Sequence, residues 1–182
     1  MKLAVIADIH GNLLALEAVL ADIGRRGIER IVNLGDCVSG PLWPAETAAR
    51  LMALDLPTVR GNHDRWVVDA EGEGLYFSDR LAREQLDEAQ HGWLAALPMQ
   101  RDTNCDGLAV RLFHATPADD NRYLMEDKLG GRLVQSGASA IRGRLGDVGD
   151  ARLVLCGHSH LPRLLALDDV TVLNPGSVGQ PA

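Results

Sequence analysis

Five places in the sequence carry side chains that can bind metals, and each place follows a short apolar segment. In the densest of them, Gly61-Asn62-His63-Asp64, an amide, an imidazole and a carboxylate occupy three consecutive positions. Such side chains are costly to bury unless hydrogen bonds or metal ions give them partners. Each place alone is also compatible with a polar turn. The other four places hold, in chain order, Asp8 with His10, Asp36, His114, and His158 with His160.

The types of these side chains indicate transition metals. Imidazole and carboxylate groups with one amide favour Mn, Fe, Co, Ni or Zn over Ca or Mg. Without Asp64, the candidate groups number eight, which are too many for one tetrahedral zinc ion and suit two metals that share a carboxylate. Asp36 stands alone after its apolar segment and is the natural bridge.

The elements expected to position these side chains are alternating strands and helices. The run Leu3–Ala7 is continuously apolar, as in a buried strand, and Asn12 predicts the N-cap of a helix that ends at Gly24. A βαβαβ order favours parallel strands, whose carboxyl ends gather functional groups in one crevice. The next predicted elements are a strand over 30–34, a helix over about 45–54 and a strand over 58–60.

The rest of the chain is predicted to continue the same domain. Residues 1–182 are thus expected to form a single domain, because no repeat or linker divides the chain. Residues 65–106 are expected to be mostly helical. The polar, Gly-rich region 115–149 is expected to hold one helix around 132–141. Further strands are predicted over 108–113, 153–156, 163–167 and 170–173.

Composition narrows the class of protein. Hydrophobic residues at 46% and charged residues at 24% are ordinary for a globular protein. The formal net charge of −7 argues against extended nucleic acid or an anionic membrane as partner. No apolar run reaches membrane-spanning length, and Cys37, Cys105 and Cys156 form no C-x-x-C pair. We therefore expect a cytoplasmic protein with reduced, packed cysteines.

Five ordered blocks of the sequence resemble those of the calcineurin-like metallophosphoesterase family. The resemblance implies a four-layer α/β/β/α sandwich that hydrolyses a small phosphodiester, such as a cyclic nucleotide, or a phosphomonoester. The closing Asn174-Pro175-Gly176-Ser177 is similar to a loop of the small bacterial phosphodiesterase branch. The blocks are Asp8-x-His10, Gly35-Asp36, Gly61-Asn62-His63-Asp64, His114 and Gly157-His158-x-His160.

The resemblance also implies a role for each site residue. His63 would be the general acid, which suits an imidazole near neutral pH. The nucleophile would be a hydroxide activated by two divalent metals, with manganese expected first and iron, zinc, nickel or cobalt as alternatives. Asp64 is a catalytic candidate that could orient His63 or cap the following helix. The implied ligand sets are Asp8, His10, Asp36 and His160 for one metal, and Asp36, Asn62, His114 and His158 for the other.

Two departures from the family pattern shape the expected substrate and assembly. The protein-phosphatase branch has a further Asp and an Arg-Gly after the bridging aspartate. Here Asp36-Cys37-Val38-Ser39-Gly40-Pro41 has neither, which favours a small-molecule phosphoesterase. Relatives usually continue past the Asn-Pro-Gly-Ser loop, whereas this chain stops at Ala182. Either the chain is truncated, or it leaves an open sheet edge that would suit a homo-oligomer.

The substrate pocket and the competing function stay open at this point. An aryl phosphate or nucleotide could contact Trp43, Arg122, Tyr123 or Lys128, although loop packing is the alternative for each. The competing function is a non-catalytic metal-binding scaffold or assembly protein on the same fold. A nuclease that acts on long nucleic acid would need a basic groove.

Overall fold

The structure, a computed structural model, describes residues 2–69 and 75–182. Strands and helices alternate along the first part of the chain, as the sequence predicts. The described elements are β1 (Ala4–Ile6), α1 (Leu13–Arg25), β2 (Ile31–Asn33), α2 (Pro44–Leu54), α3 (Asn62–Asp69), α4 (Phe77–Gln85), α5 (Glu88–Ala96), β3 (Gln100–Cys105), β4 (Leu108–Phe113), β5 (Glu126–Leu129), β6 (Arg132–Gln135), α6 (Ala138–Leu145), β7 (Leu153–Leu155), β8 (Arg163–Leu167) and β9 (Val170–Asn174).

The first sheet is a parallel pair, β1 and β2, connected by α1. The helix begins where the sequence predicts, because the side chain of Asn12 accepts a hydrogen bond from the Ala15 amide at 3.1 Å. The predicted third strand at 58–60 is reduced to an isolated parallel bridge between Asn33 and Thr58. This bridge still delivers the chain to Gly61 beside the end of β2.

The second sheet has the order β3-β4-β7-β9-β8, with β4, β7 and β9 parallel and the two edges antiparallel. The prediction of helix up to residue 106 was wrong for 100–105, which pair with β4 along their whole length. The helix predicted around 132–141 was also misplaced. Gly130 and Gly131 both have positive φ and turn the chain between β5 and β6, so that α6 begins only at Ala138.

Three hydrophobic clusters hold these elements together. One joins β1 to helices α1–α5, the second combines residues of both sheets, and the third joins the second sheet to α6. The mixed α/β class is confirmed, and the four-layer arrangement stays a proposal that these clusters support. In the described parts of the chain, no helix is both long and apolar enough to cross a membrane. Representative members are Leu16, Leu51 and Leu94; Val32, Leu112 and Leu155; and Phe113, Ile141 and Val172.

Candidate metal centre and active site

The predicted metal ligands meet at the carboxyl ends of strands from both sheets. They form two groups, each of which has its ligand atoms within 4.8 Å of one another. The side chain of Asn62 lies next to the second group, with Oδ1 3.0 Å from Nε2 of His114. The first group is Asp8, His10 and His160, and the second is Asp36, His114 and His158.

Asp36 lies between the two groups. Its Oδ2 atom is 3.8 Å from Nε2 of His10 in the first group and 3.3 Å from Nε2 of His114 in the second. Its Oδ1 atom accepts a hydrogen bond from the backbone amide of His63 at 3.0 Å. A Cβ atom at Gly61 would overlap the same Oδ1, so only glycine permits this approach. One oxygen of Asp36 is thereby held by the backbone, and the other faces both groups.

Backbone carbonyls orient three of the histidine rings. Nδ1 of His10, His114 and His160 lies 2.7 Å from the carbonyl oxygen of Ser39, Leu34 and Gln180, respectively. A neutral ring that donates from Nδ1 has a free lone pair on Nε2. The Nε2 atoms of His10 and His160 are 3.1 Å apart, and two lone pairs at this distance repel each other. A shared cation would turn the repulsion into coordination, so these residues fit a metal.

The loops that carry the ligands have an unusual backbone. Positive φ values occur at five of the seven predicted ligands. Such conformations are uncommon outside glycine and persist where the surrounding structure enforces them, often at functional sites. Here the amides of Asp8 and His10 donate to the carbonyls of Gly35 and Asp36, both at 3.0 Å. The five residues are Asp8, His10, Asp36, His158 and His160.

The C-terminal loop, residues 174–177, supports the loops that carry Asp8 and His158. The side-chain amide of Asn174 donates to the carbonyl of Gly157 at 2.6 Å, and the Ser177 hydroxyl donates to the carbonyl of Asp8 at 2.7 Å. The amide of His158 lies 3.2 Å from both carboxylate oxygens of Asp8. The loops that carry Asp8 and His158 are therefore tied to each other directly and through the C-terminal loop.

Charge in the centre is dominated by buried carboxylates. Burial and the neighbouring His114 ring lower the pKa of His158 to about 4, so His158 is neutral and able to coordinate at neutral pH. Burial opposes protonation of His114 as well, but the carboxylates of Asp36 and Asp8 outweigh it and raise its pKa to about 10. A proton on His114 thus offsets negative charge that a bound cation would neutralise directly.

His63 is paired with a carboxylate that sequence reasoning missed. Its Nδ1 atom lies 2.7 Å from Oδ1 of Asp79, which is fully buried at the start of α4. Asp79 also accepts hydrogen bonds from the Ser39 hydroxyl and the Tyr76 amide. Burial of the imidazole disfavours its charge, but Asp79 and Asp36 outweigh burial and raise the pKa of His63.

The side chain of Asp64 forms its hydrogen bonds with backbone amides rather than with the His63 ring. Its oxygens accept hydrogen bonds from the amides of Asp36, Cys37 and Gly61 at 2.9, 2.8 and 3.0 Å. Burial and the charge of Asp36 raise its pKa to about 6. The contact with the Gly61 amide, directly before α3, corresponds to the capping alternative, and the contacts with Asp36 and Cys37 fix the loop that carries Asp36.

Comparison with known proteins identifies the family. A family model described as the calcineurin-like phosphoesterase superfamily domain matches residues 1–182. The chain belongs to this superfamily. It is therefore a hydrolase that acts on phosphoester bonds, and the predicted family is confirmed.

Individual relatives agree with this calcineurin-like phosphoesterase assignment. The uncharacterized protein MJ0912 of Methanocaldococcus jannaschii is 33% identical over 202 residues, which are 98% of this chain and 76% of that protein. A metallophosphoesterase from Sphaerobacter thermophilus is 26% identical with a TM-score of 0.72, covering 100% of this chain and 78% of that one. The hypothetical protein PH1004 of Pyrococcus horikoshii shares the fold, with a TM-score of 0.79 at 19% identity over 99% of this chain and 79% of its own.

The metal centre of this phosphoesterase opens into a cleft of about 470 Å³. Of the four predicted pocket residues, Tyr123 lines the cleft, whereas Trp43, Arg122 and Lys128 are not among its lining residues. Sequence reasoning missed two aromatic residues of the lining, Trp66 and Tyr76. Only the position of Trp66, one helical turn after His63, was a usable signal in the sequence.

Proposed function

We propose that the protein hydrolyses small phosphodiesters with two divalent transition-metal ions, of which manganese is the first expectation. The observation that carries the proposal is the position of Asp36, with one oxygen facing both ligand groups. Two divalent ions bound there would supply a hydroxide nucleophile near neutral pH and offset charge on the phosphoryl oxygens. The residues that would hold them are Asp8, His10, Asp36 and His160, and Asp36, Asn62, His114 and His158.

His63 is the proposed proton donor to the leaving alkoxide. Its Nδ1 is held by Asp79, so Nε2 is the nitrogen that can deliver a proton into the cleft, which His63 lines. The carboxylate of Asp79 stabilises the protonated ring and helps to raise the pKa of His63. Asp64 acts as a positioning residue, because it fixes the backbone around Asp36.

The charge of the cleft favours a diester over a more highly charged substrate. Within the described residues, no lysine or arginine lines it, and the sequence of 70–74, Ala-Glu-Gly-Glu-Gly, contains none. A phosphodiester carries one negative charge at the phosphorus, and it needs fewer cationic partners than a monoester. Phosphomonoesters are the second candidates. The three cysteines, all buried and free, support the expected cytoplasmic location.

Hydrolysis of bis(p-nitrophenyl) phosphate and p-nitrophenyl phosphate with Mn²⁺ tests the proposal. The diester should be the better substrate, and Asp36→Asn should abolish turnover of both. His91→Ala is the matched control, because this half-buried histidine is not among the residues that line the cleft and its ring bonds the Arg83 carbonyl. Tight Mn²⁺ binding without turnover of any phosphoester across a metal panel would favour the scaffold alternative.

A further inference from the structure

One wall of the cleft is an aromatic surface that the metal centre does not use. The rings of His63 and Trp66 have centroids 4.7 Å apart, and Tyr76 lies 5.9 Å from Trp66 and 5.8 Å from His63. Tyr76 is 63% exposed although its ring is large and mostly apolar. The rings of Trp66 and Tyr76 form one contiguous surface with the ring of His63, the proposed proton donor.

A third aromatic residue lines the cleft from another segment. The ring of Tyr123 stacks on the predicted ligand His158, with centroids 4.7 Å apart and an interplanar angle of 28°. Tyr123 comes from the loop before β5, whereas Trp66 and Tyr76 come from α3 and the residue before α4. Aromatic rings therefore adjoin both His63 and His158.

Arg65, which lies beside the Trp66 ring, is already engaged by a carboxylate. Arg65 forms two hydrogen bonds with Asp120, at 2.7 and 2.8 Å, and its guanidinium lies 5.9 Å from the Trp66 ring. Asp120 is buried, so the pair holds the guanidinium away from a substrate. Apart from Asp36 and the histidines of the centre, the described lining consists of aromatic, neutral polar and small side chains, with no lysine or arginine among them. This combination suits a planar, uncharged group better than a polyphosphate.

We propose that the cleft selects phosphodiesters in which the ester group other than the leaving group carries a planar aromatic ring, as in a nucleoside ester. The ring would stack against Trp66 and Tyr76 or against Tyr123 while the phosphate lies at the metal centre. This inference rests on the proposed phosphodiesterase function and adds the class of ester group. Stacking of a base on an aromatic side chain changes affinity by roughly five- to one-hundred-fold when the side chain is removed.

Two substrates with the same leaving group isolate the effect of the other ester group. Methyl p-nitrophenyl phosphate and thymidine 5′-(p-nitrophenyl phosphate) both release p-nitrophenol, so their chemistry at phosphorus is matched. The thymidine ester should have a kcat/KM at least about five-fold higher. Trp66→Ala and Tyr76→Ala should each remove most of this advantage through KM, and Trp66→Phe, which keeps a ring, should retain it.

Phe77→Ala is the matched control. Phe77 follows Tyr76 directly and is 68% exposed, yet it is not among the residues that line the cleft. This variant should leave the ratio of the two kcat/KM values unchanged. A loss of the ratio in Phe77→Ala as large as in Tyr76→Ala would mean that the effect is general loosening near α4, and would overturn the assignment.

Calorimetric binding in Mn²⁺ separates this inference from the proposed function. Thymidine 5′-monophosphate should bind at least about five-fold more tightly than methyl phosphate, and Trp66→Ala should remove the difference. If neither p-nitrophenyl ester is hydrolysed but this difference is observed, the proposed function fails and the aromatic site stands. If the esters are hydrolysed equally well and the two ligands bind equally, the function stands and the aromatic site is overturned.

Discussion

At the scale of single residues, the contact between His63 and Asp79 decides how the proton donor works. The carboxylate raises the pKa of His63, and a general acid loses activity as the pH rises through its pKa. Asp79→Asn should therefore lower that pKa, move the alkaline limb of the kcat profile to lower pH and reduce kcat roughly ten- to one-hundred-fold. The loss should be larger for phenyl than for p-nitrophenyl esters, because the poorer leaving group needs the proton more.

The matched control for Asp79→Asn is Glu84→Gln, an exposed carboxylate on the same helix. The control should leave the pH profile and the dependence on the leaving group unchanged. Asp79 also accepts a backbone hydrogen bond, so the thermal midpoint of each variant is measured alongside. A drop in kcat with an unmoved alkaline limb and equal effects on both esters would show that Asp79 is only structural.

Asp64 makes a different prediction, since its contacts are with three backbone amides. Asparagine offers one acceptor oxygen and turns an NH₂ group towards amide donors. Asp64→Asn should lower the free energy of unfolding by about 2–3 kcal/mol, as for other buried unsatisfied donors. Urea unfolding measures this change.

The control is Asp55→Asn, at an exposed positive-φ position that asparagine tolerates. It should lower the free energy of unfolding by less than about 0.5 kcal/mol. Normal stability with lost activity in Asp64→Asn would instead support a direct catalytic role of Asp64.

At the scale of elements, Arg144 of α6 holds the loop that presents Tyr123 to the cleft. Its Nη1 atom lies within 3.4 Å of the carbonyls of Tyr123, Leu124 and Glu126, and within 2.8 Å of the Ser136 hydroxyl. Arg144→Met should lower the free energy of unfolding by about 2 kcal/mol, because charged hydrogen bonds to buried carbonyls are lost. It should also raise KM for the thymidine ester while KM for the methyl ester stays constant.

Arg142 provides the comparison on the same helix. It bonds the Leu167 carbonyl and the exposed Asp168 at the surface. Arg142→Met should therefore cost less than about 1 kcal/mol and leave both KM values unchanged. Equal effects of the two variants on urea unfolding and on KM would contradict a specific role of Arg144 in positioning Tyr123.

The elements that could be predicted from the sequence are those whose pattern of apolar residues reflects their burial. β1, α1 and β2 follow from apolar runs and an N-cap, and the ligands follow because each ends such a run. β3 could not be found this way, since Gln100–Cys105 is polar and has one buried residue; its strand character comes from pairing with β4. The neighbouring Asp106-Gly107, both with positive φ, was the hairpin signal that went unused.

The same limit applies to the site. Parallel strand ends meet by topology, so the eight candidate groups could be expected to meet without knowing any packing. The family resemblance then implied that seven of them are ligands and that His63 is not. Asp79 reaches His63, and Tyr76 reaches the cleft, only because α4 packs beside α3. Nothing local in the sequence specifies that contact. Asp79 also occupies a helix N-terminal position where an acidic residue is ordinary. Its proximity to His63, 16 residues earlier, depends on tertiary structure.

At the scale of the whole molecule, the candidate metal centre draws its residues from both sheets. Asp8, His10 and Asp36 follow strands of the first sheet, whereas His114, His158 and His160 follow strands of the second. Ions bound there would tie both sheets together and neutralise carboxylates that are buried at 0–1% exposure. Stability should therefore depend on the metal, since a ligand that binds only the folded state stabilises it by mass action.

Mn²⁺ at about one hundred times its dissociation constant should stabilise the protein by roughly 2.7 kcal/mol for one site, which corresponds to a rise in Tm of about 5–10 °C. Scanning calorimetry after chelation and after Mn²⁺ addition measures the shift. Asp36→Asn should remove most of it because both groups share this carboxylate, whereas His160→Gln should retain part through the second group. His91→Ala should shift like the unaltered protein. Imidazole-rich sites prefer transition metals to Ca²⁺. An equal rise in Tm with Ca²⁺, or an undiminished rise in Asp36→Asn, would therefore mean that ions bind elsewhere and would refute a shared centre.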